Sequence, residues 1–396
     1  MSATFTTVVD GSTKTYRDRK RYWYPIALIV PLLTFGAWHG ATTWGREVFW
    51  YAGPFWILVG MPIIDTVFGT QKGNSPAWAD AEMEQDRYYR VLTYLYGPLQ
   101  YLGFFWACWY VTSHDMSAFA WFGFALTVGA VGGIGIANAH ELGHKNTRIE
   151  RWWAKVVLAQ TGYGHFEIEH NRGHHVRVAT PEDPASSRFG ESFWAFFPRS
   201  VIGAARSGWA LEKKRLAFRG KGPWTLENDV LNAWLMSVVL FAGVIVAFGP
   251  KLIPFLVVQA VFGFSLLEVV NYLEHYGLLR QKGEDGRYER VRPEHSWNSD
   301  HIATNMLLYG LERHSDHHAN PVRRYQVLRT FDEAPQLPSG YGTMVGLAYL
   351  TPLWRKVMDP KVLAVYDGDI TKVNVDPRKR DRIYARYGAV PEPANA

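Results

Sequence analysis

The sequence predicts an all-α integral membrane protein with six transmembrane helices, paired as three hairpins, and a helical cytoplasmic cap. Three observations predict this class: six apolar stretches of spanning length, very short links within each pair, and an excess of Lys and Arg on one side. The chain has 396 residues, of which 48% are hydrophobic and 15% aromatic. Its mean hydropathy is only −0.14, as expected when apolar spans alternate with polar segments.

Six stretches approach the roughly 20 mostly apolar residues that a helix needs to cross a hydrocarbon core about 30 Å thick. They are Trp23–Thr43, Val48–Phe68, Val91–Val111, Phe119–Ala139, Val230–Phe248 and Leu252–Leu273. The links within the three pairs contain Arg46, no basic residue, and Lys251, in turn. The alternative is that a few of these stretches are buried helices of a large soluble protein.

The long polar regions carry the Lys and Arg excess, which places them and both termini in the cytoplasm by the positive-inside rule. The predicted organisation is a cytoplasmic N-terminal tail, residues 1–22, followed by a single membrane-embedded domain, residues 23–396. Two cytoplasmic regions within that domain, residues 140–229 and 274–396, follow the fourth and sixth spans.

Composition narrows the chemistry of any metal site. Cys108 is the only cysteine, which excludes a disulfide framework and thiolate-held zinc or iron–sulfur sites. A metal ion must therefore be held by nitrogen and oxygen. The net charge of +6 would fit nucleic acid, anionic lipid or an acidic protein partner, but seventeen Trp and twenty-one Tyr favour the membrane, so membrane lipid is expected as a partner and nucleic acid is not.

Histidine is the residue that stands out. Nine of the fourteen histidines fall in four motifs at or just beyond a predicted span end, all on the cytoplasmic side. The motifs are HELGHK with His140 and His144, EHNRGHH with His170, His174 and His175, NYLEHYG with His275, and RHSDHH with His314, His317 and His318.

The spacings favour two metal ions. Residues three or four apart lie on one helical face and can bind one ion, whereas adjacent histidines diverge by about 100°. Nine nitrogen donors exceed the four that zinc usually takes, but they suit two ions with four or five ligands each and an open position. Imidazole binds iron, copper, zinc and nickel alike, so the ligand type leaves the metal undecided.

Carboxylates are expected next to such ligands, because neutral imidazoles leave the charge of the ions uncompensated. The candidates are Glu141, Glu169, Glu274 and Asp316, each next to or near a motif histidine. Glu268 precedes His275 by seven residues on the same helical face and is predicted to point at the metals. Ordinary solvated acids are the alternative reading for the first four.

His140-Glu141-Leu142-Gly143-His144 is also an HExxH motif, the pattern of zinc metalloproteases, in which Glu141 would be the general base. An intramembrane zinc protease needs only one further ligand. It would leave at least six clustered histidines without a role, so the ligand count disfavours it.

Together the four motifs closely resemble those of the membrane-bound alkane monooxygenases (alkane 1-hydroxylases), and the likeness extends from the first span to about Asp369. HELGHK, EHNRGHH, NYLEHYGLLRQ and RHSDHHANPVRRYQVLR are far longer than the HxxxH, HxxHH, HxxHH skeleton shared with membrane fatty-acid desaturases. The resemblance implies six transmembrane helices in a bacterial-type inner membrane, two non-haem iron ions, dioxygen as oxidant, and hydroxylation of medium-chain n-alkanes at the terminal methyl to 1-alkanols.

Carried over residue by residue, the resemblance implies that all nine motif histidines are iron ligands. His295 and His301, in PEHSWNSDHIATN, also match a family stretch but lack ligand spacing, and are interpreted as structural or supporting residues. A membrane fatty-acyl desaturase or another lipid hydroxylase is the alternative function.

The implied reaction needs two electrons per turnover, and the chain has no flavin, haem or NAD fingerprint, so a partner must supply them. The resemblance implies rubredoxin, itself reduced by a rubredoxin reductase. Rubredoxins are generally acidic, and three basic segments can attract one: Lys213-Lys214-Arg215, Arg323-Arg324 and Arg378-Lys379-Arg380. The ordinary positive-inside excess also explains each segment.

A lipid-soluble substrate needs an apolar route from the bilayer to the metals. Trp56, Ile57, Met61 and Ile64, in the second span, are the candidate lining residues because of their bulk above the expected site. Gly129, Gly132, Gly133 and Gly135 either leave room for such a route or, more commonly in membrane helices, mark close helix packing.

Overall fold

The computed structural model describes residues 3–9 and 11–389, and the chain is mostly helical. The helices of the first half are α1 (Lys20–Trp44), α2 (Glu47–Phe68), α3 (Ala77–Gln85), α4 (Arg87–Ser113), α5 (Ala118–Gly143), α6 (Arg148–Ala159) and α7 (Phe166–Glu169). Those of the second half are α8 (Phe193–Ala217), α9 (Asp229–Phe248), α10 (Pro250–His275), α11 (Ile302–Leu307), α12 (His314–Ala319), α13 (Tyr341–Ala348), α14 (Thr351–Val365) and α15 (Arg380–Tyr387).

Short helical pieces connect these elements. Helix α1 begins as a 3-10 helix and becomes α-helical at Leu33, and α7 continues into a π-helical turn, His170–His174. Further 3-10 turns are Pro293–His295, Tyr325–Val327, Ile370–Lys372 and Pro377–Lys379.

The N-terminal segment differs from the predicted all-α class. Strands β1 (Thr4–Val9) and β2 (Ser12–Arg17) form an antiparallel hairpin. Strand β1 is rich in β-branched Thr and Val, β2 contains Thr13 and Thr15, and Gly11 has a φ of 75°, which a tight hairpin turn requires. Phe5 of β1 is buried in the main hydrophobic core, so this segment is folded onto the protein.

Within the residues that the structure describes, five helices are long and apolar enough to cross a membrane: α1, α2, α5, α9 and α10. They coincide with five of the six predicted spans. The remaining predicted span, residues 91–111, lies within the continuous helix α4, which does not meet the same criterion. Helix α4 is rich in Tyr and Trp and contains Gln100, which lowers its hydropathy. The six-span count and the three-hairpin arrangement therefore stay predictions.

Helices α5 and α10 pack together at the centre of the protein, and small residues let their backbones approach. A Cβ atom added at Gly129 would lie 2.6 Å from the carbonyl oxygen of Gln259, and one added at Gly133 would lie 2.6 Å from that of Gly263. These distances are too short for any side chain, so the glycines serve close helix packing. The C-terminal ends of the same two helices carry His140 and His275.

We expect Gly129→Val to destabilise the protein by about 1–3 kcal/mol, because the added side chain meets a backbone carbonyl that cannot move aside. Thermal unfolding of the purified protein in detergent measures the effect as a lower Tm. Gly243→Val in α9 is the control, since a Cβ atom there meets nothing within 4 Å. Equal losses of Tm in the two variants would contradict the packing explanation.

Candidate metal centre

The fold brings all nine motif histidines together in two adjacent groups. The first group is His140, His144, His170, His175 and His317, and the second is His174, His275, His314 and His318. Within each group the candidate donor atoms all lie within 4.8 Å of one another. Eight of the nine rings are buried, and His175 is partly buried.

Four elements deliver these rings. His140 lies in the last turn of α5, with His144 directly after it, and His275 ends α10. His314, His317 and His318 all lie on α12. The EHNRGHH motif occupies the π-helical turn after α7 and the residue that follows it, and the wider i→i+5 turn brings the Nε2 atoms of His170 and His175 to 3.1 Å from each other.

The pairing by spacing is only partly as predicted. His140 with His144, and His314 with His318, share a group as the four-residue spacing predicts, and the adjacent histidines of both HH pairs separate into different groups. His170 and His174, however, are four apart and lie in different groups, because the π-helical turn rotates one away from the other. His314 and His317 are also separated, although they are three apart.

Short contacts between ring nitrogens connect the members of each group. The Nε2 pairs are His140–His170 at 2.8 Å, His175–His317 at 3.0 Å, His170–His175 at 3.1 Å, His314–His318 at 2.9 Å and His275–His314 at 3.2 Å. Two nitrogens bound at right angles to one ion, each at about 2.1 Å, would be about 3.0 Å apart. The spacing therefore fits shared metal ions.

Two further features fit the same conclusion. The Nε2 atoms of His144 and His174 are buried and have no hydrogen-bond partner among the described residues. Burial is the largest cause of a pKa well below the usual range in six of the rings outside the spanning helices, and repulsion between the charged forms of neighbouring imidazoles is the next. The lowered pKa keeps these rings neutral and able to ligate a metal ion. They are His144, His170, His175, His314, His317 and His318.

Asp183 supports this site and was missed in the sequence. Its Oδ2 lies 2.8 Å from Nδ1 of His174 and accepts a hydrogen bond from Ser186 Oγ at 2.6 Å. Burial opposes the charged form of His174, yet the Asp183 carboxylate raises its pKa overall. This contact fixes the ring so that Nε2 faces the second group. Asp183 lies eight residues beyond the EHNRGHH motif, outside a regular helix, so neither adjacency to a ligand nor helical spacing from one indicates it.

The four predicted carboxylates have other partners, with one exception. Three of them pair with basic side chains rather than with a motif histidine: Glu141 with Lys145 at 3.0 Å, Glu169 with Arg177 at 2.8 Å and Asp316 with Arg323 at 2.7 Å. Only Glu274 reaches a motif ring, with its Oε2 3.2 Å from Nε2 of His314. These contacts differ from the predicted role of holding outer ring nitrogens.

The other predicted supporting residues lie at varied distances from the site. The main-chain carbonyl of His295 is 3.4 Å from Nδ1 of His275 and can accept a hydrogen bond from it, whereas the His295 ring faces Glu289. The His301 ring contacts Ser299, away from the nine histidines. Glu268 accepts a hydrogen bond from Tyr163 at 2.6 Å and has no contact with a motif histidine within the described residues.

An apolar cavity of about 50 Å³ lies between α2, α5, α10 and α13. Its lining includes Ile57, Met61, Leu266, Leu308, Tyr341 and Val345. Of the four predicted lining residues, Ile57 and Met61 face this cavity, and Trp56 and Ile64 are not among its walls. Tyr341 joins the cavity to the metal centre, because its hydroxyl donates to Glu274 Oε1 at 2.7 Å.

Residues 117–347 match the fatty acid desaturase family, which defines the class of fold and site described above. Relatives that match over nearly the whole chain identify the family more narrowly. The chain is 44% identical to an alkane 1-monooxygenase of Acinetobacter baylyi, covering 94% of this chain and 92% of the relative. The chain is 42% identical to alkane 1-monooxygenase 1 of Alcanivorax borkumensis and 43% identical to an alkane 1-monooxygenase of Pseudomonas putida. Each match covers 96% of this chain and 94% of the relative.

The chain belongs to the alkane 1-monooxygenase family, a branch that shares the desaturase-type domain. Its apolar helices make it a multi-pass membrane protein, and its histidine groups form the metal-binding site of an oxidoreductase.

We expect Asp183→Ala to weaken metal binding about 10–100-fold, the usual cost of losing a partner that orients a metal-binding histidine. The measurement is the metal content of the purified protein after challenge with a graded series of chelator concentrations. Glu182→Gln is the matched control, because Glu182 is the exposed neighbour of Asp183. Unchanged retention in Asp183→Ala would show that His174 does not need this carboxylate.

Proposed function

We propose that the protein is a non-haem di-iron monooxygenase that hydroxylates the terminal methyl of medium-chain n-alkanes to 1-alkanols. The reaction uses dioxygen and two electrons from rubredoxin, which a rubredoxin reductase reduces in turn. The observation that carries this proposal is that an apolar cavity lies next to the two histidine groups. Tyr341 and Glu274 connect the cavity to these groups. The similarity to alkane 1-monooxygenases supports the same reaction.

The proposed ligands are His140, His144, His170, His175 and His317 for one iron, and His174, His275, His314 and His318 for the other. Two iron ions held there would supply the activation of dioxygen. The residues around them fix the rings: Asp183 orients His174, and the carbonyl of His295 orients His275. Lys145 neutralises Glu141, so this carboxylate does not compete for the ions.

The cavity is proposed to hold the alkane end. An alkane offers no polar group, so contact with apolar walls and exclusion of water are the interactions available to it. Ile57, Met61 and Val345 provide such walls, and Tyr341 turns its hydroxyl away towards Glu274. The terminal methyl of the alkane would then lie at the end of the cavity nearest the histidine groups.

Rubredoxin is proposed to bind a basic part of the cytoplasmic surface. In two of the three predicted basic segments, ion pairs within the protein compensate much of the charge. Arg323 pairs with Asp316, Arg324 with Glu150, and Arg378 with Asp376. Lys213 and Lys214 are exposed and have no carboxylate within 4.0 Å in the described part of the chain. Their uncompensated charge makes this segment the strongest candidate for an acidic partner.

The membrane arrangement proposed is six spans in three hairpins within the inner membrane, with both termini and the metal centre on the cytoplasmic side. Residues 23–396 would form one membrane-embedded domain, after an N-terminal region of residues 1–22. Helix α4 is the sixth span, because it is long enough and exposes a set of apolar side chains to its surroundings. These side chains are Val91, Leu95, Leu102, Phe105 and Trp109.

A membrane fatty-acyl desaturase is the second candidate function, since the matching domain carries that family's description. A zinc protease is not supported by the site. His140 and His144 share their group with three more histidines, and the Glu141 carboxylate is paired with Lys145 rather than free to act as a general base.

We expect purified protein to convert octane to 1-octanol when rubredoxin, its reductase and NADH are supplied, as measured by gas chromatography. Elemental analysis of the same preparation should find iron rather than zinc. An acyl substrate that yields an alkene, with no alcohol from octane, would support the desaturase instead. A single zinc per chain would exclude both oxidative functions.

We expect Ile57→Phe to shift the accepted alkanes towards shorter chains, because the larger ring fills part of the cavity that Ile57 lines. Competition among alkanes of graded length measures the preference in one reaction. Leu58→Phe is the control, since Leu58 is the next residue and points outward with 47% of its surface exposed. Trp56→Ser, at a residue outside the cavity wall, should leave the preference unchanged. Identical length profiles for Ile57→Phe and the wild type would exclude the cavity as the substrate site.

A further inference from the structure

We propose that Glu274 is a further metal ligand, an oxygen donor to the four-histidine group, and that Tyr341 is the residue that positions it. The two ions would then have different donor sets: five imidazoles for one, and four imidazoles with one carboxylate for the other. This inference rests on the proposed metal centre and adds a ligand that the histidine motifs do not contain.

The position of Glu274 is the first argument. Glu274 and His275 are consecutive residues at the end of α10, and both reach Nε2 of His314, each at 3.2 Å. That nitrogen is also 2.9 Å from Nε2 of His318. Glu274 lies at the edge of this group, because it is not among the residues whose donor atoms all lie within 4.8 Å of one another.

The charge of Glu274 is the second argument. Its side chain is buried, with only 1% of its surface exposed, and no Lys or Arg lies within 4.0 Å of it in the described residues. Glu141, Glu169 and Asp316 each have such a partner. A buried carboxylate without a cation is costly, and coordination to a metal ion removes that cost.

The direction of the carboxylate is the third argument. Tyr341 donates its hydroxyl hydrogen to Oε1 at 2.7 Å, which turns Oε2 towards His314. Tyr341 is itself buried and fixed at its backbone, where its N–H donates to Glu312 at 2.7 Å. One oxygen of Glu274 is therefore held by a rigid donor, and the other is free for an ion.

A simple hydrogen bond from His314 to Glu274 is the competing explanation. It would require the proton to lie on Nε2 of His314, which would remove that nitrogen from the donor set. The same nitrogen lies close to two other Nε2 atoms, as a shared ligand position requires. The carboxylate is better explained as a neighbouring ligand of the same ion.

The test is the metal content and the Mössbauer spectrum of full-length protein in lipid nanodiscs, loaded with ⁵⁷Fe(II) and then challenged with chelator. We expect Glu274→Gln to lower the affinity of one of the two sites about 10–100-fold, so that one iron is lost and one quadrupole doublet disappears or changes. Retention of both irons with unchanged doublets would overturn the proposal. A wild-type protein that binds no iron would instead overturn the proposed function.

Glu268→Gln is the matched control. Glu268 lies six residues earlier on α10, is equally buried at 1% exposure, and also accepts a hydrogen bond from a tyrosine, Tyr163. It should retain both irons with the wild-type spectrum, and an equal loss of iron in this variant would overturn the assignment to Glu274.

Tyr341→Phe supplies a milder variant that leaves Glu274 in place, for use if Glu274→Gln does not give a monodisperse protein. We expect it to keep both irons and to change the quadrupole splitting of only one doublet, because the ligand oxygen loses its fixed orientation. A spectrum identical to that of the wild type would contradict the positioning role and the carboxylate ligand with it.

Discussion

The requirement that nine imidazole rings stay neutral and converge inside the protein is the constraint on which the rest of the structure depends. Their nitrogens lie about as close as ligands of a common ion, with several pairs at 2.8–3.2 Å. Lone pairs this close repel one another unless a cation or a shared proton lies between them. We therefore expect metal binding and the folding of this region to be coupled, since bound ions would remove the repulsion between the rings.

This constraint explains why the backbone is irregular where the rings lie. A regular α-helix would place His170 and His174 on one face, but the π-helical turn gives His170 and His175 to one group and His174 to the other. On α12, a regular helix separates His317 from His318 without such a change. One motif thus needs an altered backbone to supply both histidine groups, and the other does not.

The sequence was sufficient for features that depend on local patterns. Spans such as Asp229–Phe248 follow from apolar length, and the grouping of the four motifs follows from their shared membrane face. Two features were beyond reach for physical reasons. The contact of Asp183 with His174 arises from a loop, and no spacing rule anticipates a π-helical turn.

The predicted carboxylates show why nearness in sequence is a weak guide to contact. Glu141, next to His140, turns towards Lys145, which follows one helical turn later. Asp316, two residues from His314, turns towards Arg323. On a helix, adjacent side chains point in different directions, so an acid beside a ligand is more often directed away from the metal. Glu274 reaches the site because α10 ends there and its last residues are not constrained by a following turn.

The connection between the cavity and the metal centre depends on three segments that are far apart in the sequence: α2, the residues around Glu312, and α13. Helix α13 approaches α2 so closely that a Cβ atom added at Gly342 would lie 2.9 Å from Cβ of Met61. Its first backbone N–H donates to the buried Glu312, which satisfies a group that the helix leaves without an internal partner. Tyr341 can then present its ring to the cavity and its hydroxyl to Glu274. Because Tyr341 lines the cavity and also holds the Glu274 carboxylate, we expect a change in the shape of the cavity to move the carboxylate beside His314, which would couple the proposed substrate site to the metal centre.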